Sequence, residues 1–136
     1  MNNLKVLIID DSKTIRESLK KLLLSYGMRV SFIYDTESAE EGHNMLEEHS
    51  FDLIFVDYEM PEMSGLDWTM KVRKSYNKKQ LPIILITGIA SKNEIINMIR
   101  KGINNYIIKP FDRIQVEEKI RYTLGMPVIT NSELEE

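Results

Sequence analysis

Short apolar runs alternate with segments of helical spacing along most of the chain. Leu4-Lys5-Val6-Leu7-Ile8-Ile9 is rich in β-branched residues and stops at Asp10-Asp11-Ser12, which predicts a buried strand. Ile15, Leu19, Leu22, Leu23 and Tyr26 follow with helical spacing, and Gly27 ends that helix. Met28 to Ile33 reads as a second strand, and Ala39, Gly42 and Leu46 mark one face of an acidic second helix. Leu53-Ile54-Phe55-Val56 is too apolar for burial on one side, so both faces of that strand should be covered. A helix from Gly65 to about Ser75 and a polar loop from Tyr76 to Leu81 come next.

Pro82-Ile83-Ile84-Leu85-Ile86 is a fourth strand, its proline at the first position, where a missing N–H is tolerated. Ser91 and Glu94 form a capping-box pair ahead of Ile95, Ile96, Met98 and Ile99, and Gly102 is placed to close that helix in a left-handed conformation. Tyr106-Ile107-Ile108 is a short fifth strand. Asp112 caps a last helix carrying Val116, Ile120 and Leu124, which Gly125 ends. Strands alternating with helices imply an α/β fold, a single parallel sheet joined by right-handed crossovers with helices on both faces.

Composition narrows the classes. A chain of 136 residues predicts one domain, and 43% apolar with 29% charged residues describes an ordinary globular core. There is no cysteine, so a thiolate nucleophile, a disulfide and a Cys-ligated metal are excluded. With 18 Lys plus Arg against 21 Asp plus Glu, the net charge of −3 speaks against a dedicated nucleic-acid binder. The first apolar run ends at a double aspartate, unlike a secretory leader, and none approaches the ~20 residues of a membrane span. A cytoplasmic protein is the expectation.

In parallel α/β folds, ligands collect at the carboxyl ends of the strands. Here those ends carry Asp10-Asp11, Asp57, Thr87 and Lys109-Pro110. Two carboxylates ~4 Å apart repel by about 4 kcal/mol at an effective dielectric of 20, so three will not all stay ionised without a cation. The donors are hard oxygens, and neither His43 nor His49 lies at a strand end, which favours Mg²⁺. One strand-end aspartate alone would be read as a helix cap. Five chemically matched residues on four strand ends point to phosphate chemistry.

These residues resemble the receiver domains of two-component response regulators. The resemblance is carried in order by Asp10-Asp11, by Asp57-Tyr58-Glu59-Met60-Pro61-Glu62-Met63-Ser64-Gly65, by Thr87-Gly88 and by Lys109-Pro110-Phe111, and it spans about Leu4 to Leu124. It implies a flavodoxin-like, doubly wound sheet of five parallel strands in the order 2-1-3-4-5, with five helices on both faces. A receiver domain over residues 1–125 would be followed by a short acidic tail, 126–136, too short to be an output domain.

The resemblance also implies roles. Asp57 would accept a phosphoryl group from a phosphohistidine on a histidine kinase or phosphotransfer protein. Asp11, Asp57 and the backbone carbonyl of Glu59 would hold Mg²⁺, with Asp10 helping through a water. Lys109 and Thr87 would bind phosphoryl oxygens, and the Lys109–Pro110 peptide would be cis. Thr87 and Tyr106 would form the switch, read out on the surface of the fourth helix, fifth strand and fifth helix by an effector, an output domain or a second copy in a homodimer. Self-phosphorylation and self-dephosphorylation would be the only reactions, with no membrane and no direct nucleic-acid contact. Apart from the resemblance, Glu59, two residues past Asp57, adds another acid close to the phosphate, and its charge is expected to modulate the lifetime of the acyl phosphate.

The runner-up is a Mg²⁺-dependent aspartyl phosphatase resembling the haloacid dehalogenase family. That family uses Asp-x-Asp, whereas Tyr58-Glu59 follows Asp57 here and there is no room for a cap domain. A flavodoxin-like cofactor binder would need a phosphate-binding loop where this chain has Asp-Asp-Ser-Lys. An interaction module without chemistry does not account for the intact acids, threonine and lysine. Away from the rim, His43 reads as a packed residue and His49 as a favourable charge at a helix end. Trp68 reads as ordinary packing or surface, and Lys71, Arg73, Lys74, Lys78 and Lys79 as a solvated basic face.

Overall fold

The computed structural model of the chain describes residues 1–88 and 91–127. Most of the expected acidic tail, residues 128–136, lies outside the described residues. Strands β1 (Val6–Ile9), β2 (Ile33–Thr36), β3 (Leu53–Asp57), β4 (Ile83–Thr87) and β5 (Asn105–Ile108) form one parallel sheet in the order β2-β1-β3-β4-β5. Between and after them run α1 (Lys13–Ser25), α2 (Ala39–Glu48), α3 (Gly65–Val72), α4 (Lys92–Arg100) and α5 (Arg113–Thr123).

Alternation along each strand divides the core in two. Val6, Ile8, Leu53, Phe55, Ile84, Ile86 and Ile107 pack with Leu19 and Leu23 of α1 and Val116 and Ile120 of α5. Leu7, Ile9, Ile54, Val56, Ile83 and Leu85 face the other way, onto Leu46 of α2, Leu66, Trp68 and Val72 of α3 and Met98 of α4. With helices on both sides, the inner strands have no solvent face, which is why they read as unbroken apolar runs. The expected caps at Ser91 and Asp112 are present, and three more serines act in the same way. Ser12, Ser38, Ser64, Ser91 and Asp112 each accept a backbone N–H at the start of α1 to α5. Gly27, Gly102 and Gly125 have positive φ just beyond helix ends.

The second strand lies elsewhere than predicted. Arg29 leads into a single 3-10 turn, Val30–Phe32, and β2 begins only at Ile33. β2 is an edge strand paired with β1 alone, and its register (Val6↔Ile33, Ile9↔Thr36) brings it level with the rim. Val30, the most apolar-looking centre of the predicted strand, is 74% exposed. Smaller departures are that β1 starts at Val6 and α3 ends at Val72.

Arg73 is not part of a solvated basic face. Its guanidinium donates to the carbonyls of Gly102 and Leu81 and to Asn104 Oδ1, each at 2.8 Å, so it ties the end of α3 to the turns that enter β4 and β5.

The turn from β3 into α3 depends on one glycine. A Cβ on Gly65 would lie 2.1 Å from the carbonyl oxygen of Asp57. Alanine at a helical position normally gains up to ~1 kcal/mol over glycine. Here overlap with backbone outweighs that gain, and Gly65→Ala is expected to lose about 1–3 kcal/mol in urea unfolding. Gly88→Ala, whose Cβ meets nothing within 4 Å, should stay within about 0.5 kcal/mol of the parent.

Candidate functional site

β1 and β3 are neighbours in register, Ile9 beside Val56, so the residues that follow, Asp10 and Asp57, come out of the sheet side by side. Asp10, Asp11 and Asp57 each offer a carboxylate oxygen, and these lie within 4.8 Å of one another. Asp10 and Asp57 are buried, Asp11 exposed. Across the sheet, the N–H of Lys109 donates to the carbonyl of Thr87 at 2.8 Å, which carries the strand pairing of β4 and β5 past their ends. From there the Lys109 ammonium reaches Asp57 Oδ1 at 2.8 Å. The Lys109–Pro110 peptide is cis. Thr87 is 1% exposed at the end of β4.

Every strand-end residue singled out in the sequence therefore stands on one rim. Glu59 lies close enough for its charge to be felt by both Asp57 and Lys109. Tyr106 is set back in β5, half-buried against the face that holds α2 to α4, while Ile107 faces α1 and α5. Lys119 of α5 sits 3.9 Å from the centre of the Tyr106 ring.

Electrostatics at the rim follow from burial and an excess of acid. Burial, then Asp57 and Asp11, push the Asp10 carboxyl up to about 6 against the pull of the Ser12 N–H and Lys109. Burial also raises the Asp57 carboxyl; Lys109 pulls it back, and Asp11 and Glu59 add to the rise. For Lys109, burial works to lower the value, but Asp57, Asp10 and Glu59 outweigh it and hold the ammonium above its ordinary value. At Lys109 the surrounding acids outweigh burial, whereas at Asp57 burial leads and the neighbouring acids add to it.

The residues fit a small hard cation. Asp10 Oδ1 accepts the Ser12 N–H at 2.9 Å, but Asp10 Oδ2 is buried without a hydrogen-bond partner. A buried carboxylate oxygen left in this way is costly, and a divalent ion among three oxygen donors would satisfy it.

Two contributors were not visible in the sequence. Arg16 of α1 donates through Nη1 to the carbonyl of Asp10 at 2.6 Å and through Nε to Asp35 Oδ2 at 2.8 Å. Asp35 lies in the part of β2 that the apolar pattern did not mark, so its pairing with Arg16 had no signal. His49 stands at the end of α2, as expected, and makes further contacts there. Its Nδ1 lies 3.3 Å from the Lys5 Nζ, and the ring packs against Tyr34 and Phe51.

Residues 6–121 match the family described as the response regulator receiver domain. The chain is 37% identical over 123 residues to the chemotaxis protein CheY1 of Helicobacter pylori, which covers 90% of this chain and 98% of that one. It is 36% identical over 121 residues to chemotaxis protein CheY-3 of Vibrio cholerae, covering 87% and 89% respectively. The solved structure of a probable two-component system response regulator/GGDEF domain protein superposes with a TM-score of 0.83 at 27% identity. That match covers 91% of this chain, which spans 50% of the length of the larger protein.

A raised carboxyl is a stability term with a definite sign. Asp10 is pushed from 3.8 to about 6 on folding, so its protonated form favours the fold below pH ~4 and that contribution is lost as pH rises through about 6. In chelator, Asp10→Asn should therefore be more stable than the parent at pH 7 by up to ~3 kcal/mol, with the gap closing toward pH 4. Urea unfolding across that range checks it, and added Mg²⁺ should stabilise the parent more than the variant.

Proposed function

Because this chain belongs to the response regulator receiver domain family, we propose that it is a phosphorylation switch with Asp57 as its acceptor. The observation that carries this reading is the Lys109 ammonium 2.8 Å from Asp57, inside a cluster of three carboxylates at the carboxyl ends of the strands. An Asp57 oxygen attacks the phosphorus of a phosphohistidine on a histidine kinase or phosphotransfer protein. The P–N bond breaks, the imidazole leaves, and an acyl phosphate remains on Asp57. Phosphoryl transfer asks a protein mainly for alignment and for opposite charge near the phosphoryl oxygens. Lys109 provides one such charge, and Thr87, at the end of β4, provides a hydroxyl within the same rim.

Asp10, Asp11, Asp57 and the backbone carbonyl of Glu59 would hold Mg²⁺. A bound Mg²⁺ supplies positive charge to the phosphoryl oxygens and favours the ionised, nucleophilic form of Asp57. Glu59, whose charge adds to the negative field at Asp57, tunes how long the acyl phosphate survives.

The new phosphate brings ~1.5–2 negative charges and three acceptor oxygens. Thr87 follows that charge, and the ring of Tyr106 responds to the movement of Thr87. The readout is the face of α4, β5 and α5. Ile96 and Ile99 of α4 are exposed beside the buried Met98, and Ile114 and Tyr122 stand out from α5, at 71% and 76% exposure. An effector, an output domain or a second copy of the chain would cover this face. None of the described helices is long and apolar enough to cross a membrane.

Incubation with acetyl phosphate followed by intact mass tests the acceptor. One phosphate adduct is expected with Mg²⁺, and none with chelator or in Asp57→Asn. Continuous release of phosphate from a small monoester would instead favour a phosphatase of the haloacid dehalogenase kind. Separately, Glu59→Asn should change the decay rate of the adduct several-fold at unchanged loading. An unaltered decay would remove Glu59 from the account.

A further inference from the structure

The acids of the rim are aimed by their backbone, and Asp10 is held in an unusual way. Its N–H donates to the carbonyl of Thr36, at the end of β2, at 3.1 Å. Its carbonyl accepts from Arg16 Nη1 at 2.6 Å. The same guanidinium binds Asp35, the neighbour of Thr36, through Nε at 2.8 Å, and the other Asp35 oxygen takes the Lys20 ammonium at 2.6 Å. Both main-chain polar groups of Asp10 are therefore tied to the last two residues of β2, one directly and one through Arg16. The side chain is restrained as well, since Asp10 Oδ1 accepts the Ser12 N–H at 2.9 Å. What remains without a partner is Oδ2, buried in the acid cluster.

The carbonyl that Arg16 holds belongs to the peptide joining Asp10 to Asp11, so its orientation sets the direction of both side chains. We infer that Arg16 is a positioning residue: it bridges Asp35 and the Asp10 carbonyl, and so makes the affinity of the acid cluster for a divalent cation depend on an ion pair between α1 and β2. This rests on the reading of Asp10, Asp11 and Asp57 as the Mg²⁺ site. The bridge needs a guanidinium, whose planar fork offers separate N–H groups to two acceptors at fixed angles. A lysine ammonium is a single point at the end of a flexible stem. Lys20 shares Asp35 but belongs to the opposite side of that carboxylate, which makes it the natural control.

The test is Mg²⁺ binding by calorimetry on the full chain, with thermal unfolding in chelator measured on the same samples. Arg16→Lys keeps the charge and is expected to weaken Mg²⁺ about tenfold, the scale of other residues that orient metal ligands. Asp35→Asn, which leaves Arg16 without its anchor, should weaken it similarly and carries the same test should Arg16→Lys fail to fold. Lys20→Met should bind within about twofold of the parent, however much its melting temperature moves. If Arg16→Lys and Asp35→Asn bind Mg²⁺ as the parent does and lose only melting temperature, Arg16 merely fastens α1 to β2 and the inference is overturned. A parent chain that takes up no Mg²⁺ at all would overturn the metal-site reading beneath it, a result distinct from the first.

Discussion

The Lys109 ammonium lies 2.8 Å from Asp57 at a place where the sheet has already forced three acids together. The crowding is a consequence of strand order. With β1 beside β3 in register, the residues after Ile9 and Val56 have nowhere else to go. With β5 beside β4, the first residue past Ile108 bonds to Thr87 and its side chain is delivered to the same rim. One ammonium stands against three acids, and the carboxyls of Asp10 and Asp57 are raised first by burial and then by neighbouring acids. On the proposed reading, such a site would favour a hard cation and then a group whose oxygens that cation and Lys109 could share.

The rest of the molecule makes this crowding affordable. All residues of β1, β3 and β4 are buried, each face of the sheet has its own apolar cluster, and α1 to α5 each begin on a side-chain cap. The cluster of three carboxylates stands at one end of the sheet. At the opposite end the Arg73 guanidinium offsets the cost of its burial with hydrogen bonds to the carbonyls of Gly102 and Leu81 and to Asn104 Oδ1. Stability and function are thereby separated along the strand axis, as expected where a local rule is broken only at the working end. The same separation leaves α4 free to keep Ile96 and Ile99 at the surface, because Met98 alone supplies its fully buried contact.

What could be read from the sequence was whatever depends on backbone topology. Continuous apolar runs marked β1, β3 and β4, since both faces of these strands are covered. Caps and positive-φ glycines marked the helix ends because their chemistry is local. The rim was legible for the same reason. Asp57 and Lys109 are 52 residues apart, yet each is announced by the end of its own strand. β2 was misplaced because an edge strand with a half-buried Tyr34 and a charged Asp35 has no apolar signature, while the more apolar stretch before it turns outward at Val30.

Side-chain reach is where the sequence runs out. Arg73 looks like one lysine-like charge among five, and only the fold shows the carbonyls in front of it. Arg16 and Asp35 are 19 residues apart, and neither sits at a position that a periodicity or a motif singles out. Their contact exists because β2 ends level with β1 and Arg16, in the first turn of α1, reaches both Asp35 and the Asp10 carbonyl. Topology thus decides which functional groups share the rim. How accurately they point is decided by a second layer of long polar side chains, whose partners are backbone carbonyls that no sequence pattern displays. In this protein that layer enters through the edge strand, the element with the weakest signal, so the least legible strand governs the aim of the most legible acids.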